Sequence, residues 1–415
     1  MSVQTSRRPH SPAPGSSGRV PPVIPTQPGP GGRGPGGGGP GGGGPGGGKK
    51  KRTKRKDPLW AKLTLILGAV LMVTSGVAIV GSKAVIGQAT NNIAQRNLLG
   101  EAGKSEAEGG NSLDGPIDML LLGVDARERW AADDVRSDTI IILHIPASHD
   151  QAYLISIPRD TQARIPAFSK SGYRGGTEKI NAAFFHGAQN GGGWEGGAQL
   201  MAKTIKSMTG IGFDGAAIIN FGGFKNVIDA LGTVRICVSH EVPSHHMSMV
   251  EGKPMWNADA KKSGKSYKPV VHKKGCKEME GWEALDYSRQ RYGLPNSDYD
   301  RQQNQQQLIK AMAKKATEGG MLTNPIKLNA LMKAAGKAFV LDTGGVPIAD
   351  FIFTLKNLNG NDLVTLRTNG GTFSSTADNK FEQFNETTMD MFQAVKNDKL
   401  ADFVVANPDV LSTRK

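Results

Sequence analysis

Acids and arginines at the ends of predicted strands are the residues best placed to do chemistry in this sequence. Ligands of open α/β sheets bind near the carboxyl ends of the strands. Three predicted strands carry these residues, at 117–124, 139–145 and 152–157. If the strand at 139–145 runs antiparallel to the other two, its first residues lie at the same edge of the sheet as their carboxyl ends. One acid beside a strand is typical of a turn, but three such groups within 36 residues favour a shared site. In chain order the groups are Asp125, then Arg136 with Asp138, then Arg159 with Asp160.

A further pair of arginines follows a predicted helix. Arg289 and Arg291 are two residues apart, and side chains at that spacing share a face on an extended chain but not on a helix. We therefore expect the helix to end near Tyr287, with both guanidinium groups on the extended chain beyond it.

The next predicted helix carries a polar stripe. Asp298 is a residue type typical of a helix N-cap. Arg301 and Gln305 follow three and seven residues later, so the three side chains share one helical face. A solvated surface is the simpler explanation, but the combination of carboxylate, guanidinium and amide, with no lysine before Lys310, favours a binding surface.

Several arginines together with two acids indicate a metal-bound phosphate ligand. Arginine recognises phosphate oxygens in a planar, bidentate manner, and Mg²⁺ is usually held by one or two carboxylates and the substrate's phosphates. Phosphoryl transfer depends on positioning and charge neutralisation, so it needs no nucleophilic Ser or Cys. We therefore predict a pyrophosphate or polyphosphate site that uses Mg²⁺ (or Mn²⁺). Its predicted metal ligands are Asp125 and Asp138, its clamp is Arg136, Arg159, Arg289, Arg291 and Arg301, and Lys179 is an additional cation.

Alternating strands and helices must position these residues. The apolar pattern predicts strands at 117–124, 139–145, 152–157, 216–220 and 233–239. It predicts helices at 196–208, 221–231, 280–287, 299–318, 325–338 and 347–357. This alternation is typical of one layered α/β domain, and the polar stretch at 241–279 is interpreted as an excursion from it.

The positive charge of the chain is concentrated before this domain. The formal net charge is +14, of which residues 1–57 carry +10, from 11 Lys and Arg less Asp57. The first 48 residues contain 17 Gly and 11 Pro, a composition that cannot build a hydrophobic core. We expect a disordered tail at 1–57. The weakly charged remainder argues against a nucleic-acid binder.

An apolar run without charges follows the tail. Its nineteen residues, 63–81, would span roughly 28 Å as a helix, about one bilayer core. The basic run at 49–56 places the N-terminus in the cytoplasm by the positive-inside rule and is interpreted as a topology and lipid-surface signal. A buried core helix or a cleaved signal peptide fits less well. We predict a single-pass cell-membrane protein, with a cytoplasmic tail at 1–57, a transmembrane helix at 60–82, a linker at 83–113 and an extracellular domain at 114–415.

The chain has two cysteines, Cys237 and Cys276. In an exported domain we expect them to form one disulfide that brackets the polar excursion. Two independent buried thiols are the alternative. Two cysteines are too few for a cysteine-rich zinc module.

Six segments resemble motifs of the LytR-CpsA-Psr family. They extend over about 200 residues in the family's order. The segments are GVDAR at 123–127, RSDT at 136–139, SIPRDT at 156–161, KINAA at 179–183, GWEALDYSRQR at 281–291 and DYDRQQNQQ at 298–306. One departure is Asn304, where the family often has Arg.

The resemblance implies a layered α-β-α domain with a central mixed sheet, in an actinobacterial-type member. The implied activity transfers an anionic glycopolymer from a polyprenyl-pyrophosphate carrier to a peptidoglycan hydroxyl and forms a phosphodiester. It implies metal binding by Asp125 and Asp138 and pyrophosphate binding by the arginines of the clamp. Lys179, Asp298 and Gln305 occupy further motif positions.

Arg159, Asp160 and Asp298 are the candidate catalytic residues. Either acid could orient or deprotonate the acceptor hydroxyl. A polyprenyl chain needs an apolar pocket, for which the candidates, each of which could equally be ordinary core, are Phe184, Phe185, Ile205, Ile218, Phe221 and Phe224. The competing functions are a lipid-pyrophosphate hydrolase and a non-catalytic, membrane-anchored regulator.

Overall fold

The computed structural model describes residues 93–105, 108–110, 112–124, 135–318, 324–355 and 358–412. The predicted tail, the predicted transmembrane helix and Asp125 lie outside the described residues. Within the described ranges, no helix combines the length and the hydropathy that crossing a membrane requires.

Strands and helices alternate along the described chain. The strands are β1 Ala94–Gln95, β2 Ile117–Val124, β3 Ser137–Ile145, β4 Ala152–Ile157, β5 Gln162–Ile165, β6 Gly176–Lys179, β7 Gly215–Asn220, β8 Val234–Val238, β9 Val242–Val250, β10 Lys253–Trp256, β11 Tyr267–His272, β12 Gly275–Met279, β13 Phe339–Asp342 and β14 Leu363–Arg367. The helices are α1 Asn181–Ala188, α2 Gly193–Thr209, α3 Phe221–Leu231, α4 Asn257–Lys262, α5 Gly281–Arg289, α6 Asp298–Thr317, α7 Pro325–Ala338, α8 Ile348–Thr354, α9 Glu386–Lys396 and α10 Leu400–Ala406.

A mixed sheet forms the centre of the domain. Among the described residues it has seven strands in the order β1-β13-β7-β2-β3-β4-β14. β3 is antiparallel to both β2 and β4, whereas β7 is parallel to β2 and β14 is parallel to β4. The start of β3 therefore lies at the same edge as the ends of β2 and β4. This is the arrangement that brings the predicted acids and arginines together.

Helices cover both faces of this sheet. Side chains alternate along a strand, so Leu120 and Leu122 of β2 point to one face, where they pack in a buried cluster with residues of α1, α2, α9 and α10. Leu121 and Ile141 belong to a cluster on the other face, which includes Ile309 of α6. The predicted layered α-β-α domain with a central mixed sheet is confirmed.

A contact between two glycines brings α1 and α2 together. A Cβ atom on Gly187 would lie 2.3 Å from the carbonyl oxygen of Gly196, and a Cβ on Gly196 would lie 2.4 Å from the carbonyl oxygen of Gly187. No larger residue fits at either position without a shift of the backbone. The contact thereby fixes α1, whose first residue, Asn181, faces the candidate site.

The polar excursion contains an ordered small sheet, defined here as residues 242–272. It has the strand order β10-β9-β11, and α4 packs against β9. Beside it, β8 pairs with β12, and Cys237 and Cys276 form a disulfide across that pair. The sequence pattern showed no regular elements here because polar residues occupy both faces of these strands.

The predicted linker at 83–113 includes residues that belong to the folded domain. β1 pairs with β13 at the edge of the central sheet, and Leu98 and Leu99 are buried. The backbone N–H groups of both leucines donate to Asp342 Oδ2, at 2.7 and 3.1 Å. The domain therefore begins before Asp114, because this short segment is anchored by a distant carboxylate that local composition does not reveal.

We predict that Cys237→Ser/Cys276→Ser lowers the free energy of unfolding. The disulfide closes a loop with a sequence separation of 39, for which the chain-entropy relation gives a loss of about 4 kcal/mol. Urea unfolding of the oxidised protein and of the variant measures the difference. Reductant should destabilise only the wild type, and equal stability of the oxidised wild type and the variant would contradict the prediction.

Candidate active site

The ends of three secondary-structure elements meet at one edge of the central sheet. Asp138 lies at the start of β3, Arg159 follows β4 after one proline, and Asp298 is the first residue of α6. Arg159 Nη1 donates a hydrogen bond of 2.8 Å to Asp138 Oδ2. Its Nε lies 4.0 Å from Asp298 Oδ1. The antiparallel placement of β3 thus unites residues 160 positions apart.

Arg159 is a fixed cation at the centre of this edge. Besides Asp138 and Asp298, its Nε lies 3.8 Å from Asp160 Oδ2. Burial alone would lower the pKa of Arg159, but the three surrounding carboxylates raise it above its ordinary value. The guanidinium therefore stays charged at every physiological pH.

Two further cations hold the acids in place. Lys179 Nζ lies 2.8 Å from Asp160 Oδ1. Arg301 Nη2 lies 2.8 Å from Asp298 Oδ1 and donates a 2.9 Å hydrogen bond to the carbonyl oxygen of Asp138. Arg301 is buried, and these contacts hold its guanidinium group in one position.

Several buried N–H donors at this edge lack an acceptor among the described residues. They include Arg159 Nε, Arg301 Nε and Gln305 Nε2. A buried donor without a partner costs free energy comparable to a lost hydrogen bond. Three such donors, two of them on guanidinium groups, indicate a binding site for an anion with several oxygens.

The residues around Asp138 also fit a hard divalent cation. Among the described residues no group of three or more His, Cys, Asp or Glu could hold a metal. Mg²⁺, however, needs only one or two carboxylates beside substrate phosphates. Asn181 Nδ2 donates to Asp138 Oδ1 at 3.3 Å, and Asn181 Oδ1 is buried without a hydrogen-bond partner. Asp138 and Asn181 therefore present the oxygen donors that Mg²⁺ prefers.

The remaining predicted residues lie around this centre. Arg136 is exposed and stacks over Phe185, 4.9 Å from the ring centroid. Arg289 stacks on Trp256 at 5.3 Å, and Arg291 stacks on Tyr292 at 4.7 Å. Asp125, as stated, lies outside the described residues.

The expected end of the preceding helix at Tyr287 is wrong. α5 continues to Arg289, and the chain becomes extended at Gln290. The two additional residues have a specific anchor, because the Gln290 side chain donates to the carbonyl oxygen of Asp286 at 3.0 Å. Arg289 therefore projects from the helix end, and only Arg291 lies on the extended chain.

An apolar cavity of about 40 Å³ lies beside the charged edge. It is lined by Leu121, Gly123, Thr139, Ile141, Ile219, Phe224, Leu285, Ser288, Gln305, Leu308 and Ile309. Among the lipid-pocket candidates whose side chains the structure describes, only Phe224 lines it. Phe184, Ile205 and Ile218 are fully buried core on the opposite face of the sheet, Phe185 lies under Arg136, and the side chain of Phe221 is not described.

A buried acid that no sequence pattern indicated lies next to the two candidate bases. Glu382 is 2% exposed. Its backbone N–H donates to the carbonyl oxygen of Asp160 at 3.0 Å. Its carboxylate accepts hydrogen bonds from the Tyr299 hydroxyl, next to Asp298, and from Asn369 Nδ2 at 3.1 Å. A left-handed backbone at Asn369, φ 52°, is a conformation asparagine tolerates, and no local motif signals this triad.

The pKa of Glu382 reflects this environment. The pKa of Glu382 is raised to about 7 in total: burial is the largest cause, the hydrogen bonds from Tyr299 and Asn369 act to lower it, and the negative charges of Asp298 and Asp160 act to raise it. Near neutral pH the carboxyl group therefore exchanges a proton beneath the charged edge.

This geometry can be compared with known proteins. The profile of the LytR_cpsA_psr family matches residues 84–398. The chain belongs to the LytR_cpsA_psr family. The cell wall biosynthesis protein LcpA of Corynebacterium glutamicum is 27% identical over 332 residues, which are 74% of this chain and 59% of LcpA. Its similarity supports the predicted actinobacterial-type member.

Other members support the same placement. The polyisoprenyl-teichoic acid–peptidoglycan teichoic acid transferase TagU of Halalkalibacterium halodurans is 29% identical over 227 residues, 55% of this chain and 61% of TagU. The chain thus spans about three fifths of these two relatives. The crystal structure of gbs0355 from Streptococcus agalactiae shares the fold, with a TM-score of 0.54, 21% identity and coverage of 72% of this chain and 91% of that one.

We predict that Glu382→Gln changes the pH dependence of stability. The folded protein keeps a proton on Glu382 that the unfolded chain releases above pH about 4.5, so the stability contributed by this group falls as the pH rises toward about 7 and is constant above it. An amide does not titrate. From pH 5 to pH 8 the variant should therefore gain about 1–3 kcal/mol relative to the wild type, measured by urea unfolding.

The matched control is Glu386→Gln, an exposed glutamate at the start of α9. It should differ from the wild type by the same amount at both pH values. A difference between Glu382→Gln and the wild type that does not change with pH would show that Glu382 is ionised throughout this range.

Proposed function

We propose that this protein transfers an anionic cell-wall glycopolymer from a polyprenyl-pyrophosphate carrier to a hydroxyl group of peptidoglycan. The observation that carries the proposal is the convergence of three unpartnered, buried N–H donors, on Arg159, Arg301 and Gln305, next to an apolar cavity. A pyrophosphate attached to a lipid has the matching combination of charged oxygens and apolar chain. The similarity to LcpA, a cell wall biosynthesis protein, and to TagU, a teichoic acid transferase, supports the same class.

The proposed reaction is an in-line phosphoryl transfer. The acceptor hydroxyl oxygen bonds to the phosphorus next to the sugar, the bond from that phosphorus to the bridging oxygen breaks, and polyprenyl phosphate leaves. The hydroxyl proton passes to Asp160 or Asp298, which lie on either side of Arg159. Arg159 and Arg301 neutralise the charge that develops on the phosphoryl oxygens, which is the main contribution a protein makes to this chemistry.

A divalent cation fits this proposal. Mg²⁺ bound by Asp138, Asn181 Oδ1 and, from the resemblance, Asp125 would supply additional positive charge for the pyrophosphate. Arg159 and Asn181 hold the Asp138 carboxylate at 2.8 and 3.3 Å. These contacts orient the carboxylate before any cation binds.

The apolar cavity is proposed to receive the start of the polyprenyl chain. With a volume of about 40 Å³ it accommodates only a few atoms. A longer chain therefore requires α3, α5 and α6 to separate from the sheet. The predicted membrane anchor, cytoplasmic N-terminus and extracellular domain form part of the proposal, because they would place this cavity where a lipid-linked donor is available.

We predict that Asp138→Ala and Arg159→Ala each reduce transfer at least about 100-fold, since each removes a fixed charge from the phosphoryl site. The assay supplies a synthetic polyprenyl-pyrophosphate oligosaccharide donor and peptidoglycan fragments, and it measures polymer attached to the acceptor. Arg235→Ala, at an exposed position on β8, should retain full activity. Thermal unfolding checks that all three variants are folded.

Wild-type transfer by both site variants would contradict the proposal. A wild-type protein that releases polyprenyl phosphate equally well without acceptor, and attaches no polymer when acceptor is present, would identify a hydrolase instead.

We also predict that Ile219→Trp blocks use of lipid donors. Ile219 is a partly buried residue in the cavity wall, and an indole there fills the space needed by the lipid. The Michaelis constant for a long-chain donor should rise about 10-fold, whereas inorganic pyrophosphate should bind as in the wild type. Ile326→Trp, at a position 80% exposed on α7, is the control. Unchanged kinetics with Ile219→Trp would exclude this cavity as the lipid site.

A further inference from the structure

The small sheet is anchored rigidly to the helix that carries Arg289. Asp286 of α5 is fully buried and accepts a 2.9 Å hydrogen bond from Ser244 Oγ of β9. Its other carboxylate oxygen lies 2.7 Å from His272 Nε2, at the end of β11. Gln290 Nε2 also donates to Asp286, at 3.0 Å. The start of β9 and the end of β11 pair with each other, so one end of the small sheet is fixed to a single carboxylate, only three residues before Arg289.

This anchoring places one face of the small sheet over the end of α5. Trp256 pairs with Met247, and Lys268 pairs with Met249, so the register puts all four side chains on the same face. On this face Trp256 contacts Arg289, with the guanidinium carbon 5.3 Å from the ring centroid. The indole is 42% exposed, although a residue of this size is usually much more buried.

Stacking on an aromatic ring leaves a guanidinium group able to bind phosphate. The interaction uses the flat face of the guanidinium, whereas the N–H donors lie in its plane and point outward. Arg291 also contacts an aromatic ring: its guanidinium carbon lies 4.7 Å from the Tyr292 centroid, and its Nη2 donates to the Tyr292 hydroxyl at 2.8 Å. His245 of the small sheet packs against that same ring at 5.1 Å.

We propose that Trp256 is a positioning residue, through which the small sheet holds the Arg289 guanidinium in the orientation that binds phosphoryl oxygens of the substrate. This inference rests on the proposed function. It assigns to the small sheet a role in binding: the insertion supplies an aromatic support for an arginine of the phosphate clamp. The phosphoryl oxygens belong either to the pyrophosphate headgroup or to phosphates within the glycopolymer.

The test measures affinity for two probes by isothermal titration calorimetry on the full chain. Inorganic pyrophosphate represents the headgroup, and a glycerol-phosphate oligomer represents the polymer. Trp256→Ala should weaken binding of at least one probe about 5- to 30-fold, the range expected for a lost cation–π contact. Trp256→Phe keeps an aromatic face and should stay within about threefold of the wild type. The probe that loses affinity identifies the source of the phosphate.

Tyr267→Ala is the matched control, because Tyr267 is an aromatic residue of the same small sheet, 39% exposed, that pairs with Val250 on its opposite face. It should bind both probes like the wild type. A double-mutant cycle separates positioning from a general structural effect: in an Arg289→Ala background, Trp256→Ala should cause no further loss.

Unchanged affinity of Trp256→Ala for both probes would overturn the inference, as would losses from Trp256→Ala and Arg289→Ala that add independently. Arg159→Ala distinguishes failure of the role proposed for Trp256 from failure of the proposed function. If Arg159→Ala loses affinity and Trp256→Ala does not, only the role of Trp256 is refuted. If Arg159→Ala also binds both probes normally, the proposed function is refuted as well.

Discussion

The ion pair between Arg159 and Asp138 is the contact on which the site depends. It joins the end of β4 to the start of β3 with a 2.8 Å hydrogen bond, and it forms only because β3 runs antiparallel between β2 and β4. Asp160 and Asp298 complete a ring of negative charge around the guanidinium. Such a group is worth little as a stabilising surface pair, but it provides a preorganised charge at the edge where a ligand would bind.

Buried N–H donors without acceptors determine which ligand this edge of the sheet favours. The acids lie within ion-pair distance of Arg159, Lys179 and Arg301, yet Arg159 Nε, Arg301 Nε and Gln305 Nε2 have no hydrogen-bond acceptor among the described residues. A bound ligand would have to supply one. An anion with several oxygens does so, and a divalent cation near Asp138 and Asn181 would balance its charge. The adjacent apolar cavity adds a preference for a lipid-linked anion. These features together distinguish the site from an ordinary network of surface ion pairs.

Local patterns in the sequence predicted the central part of the fold and most members of the charged edge. The strands β2, β3 and β4 are apolar runs whose ends place Asp138, Arg159 and Asp160, and the i, i+3 spacing predicted the contact between Asp298 and Arg301. The missed features depend on distant partners. Glu382 meets Tyr299 and Asp160 only in the folded chain, the segment at Leu98 is held by Asp342, and α5 continues past Tyr287 because Gln290 bonds to Asp286. Trp256 had no local signal, because its partner Arg289 lies beyond the disulfide-bracketed insertion.

The most direct measurement is a crystal structure of the protein with a short-chain polyprenyl pyrophosphate and Mg²⁺. The account predicts phosphate oxygens about 3 Å from Arg159 Nε, Arg301 Nε and Gln305 Nε2, with the first isoprene unit in the cavity lined by Ile219 and Phe224. Pyrophosphate bound at a different surface, with these three N–H groups still without acceptors, would contradict it.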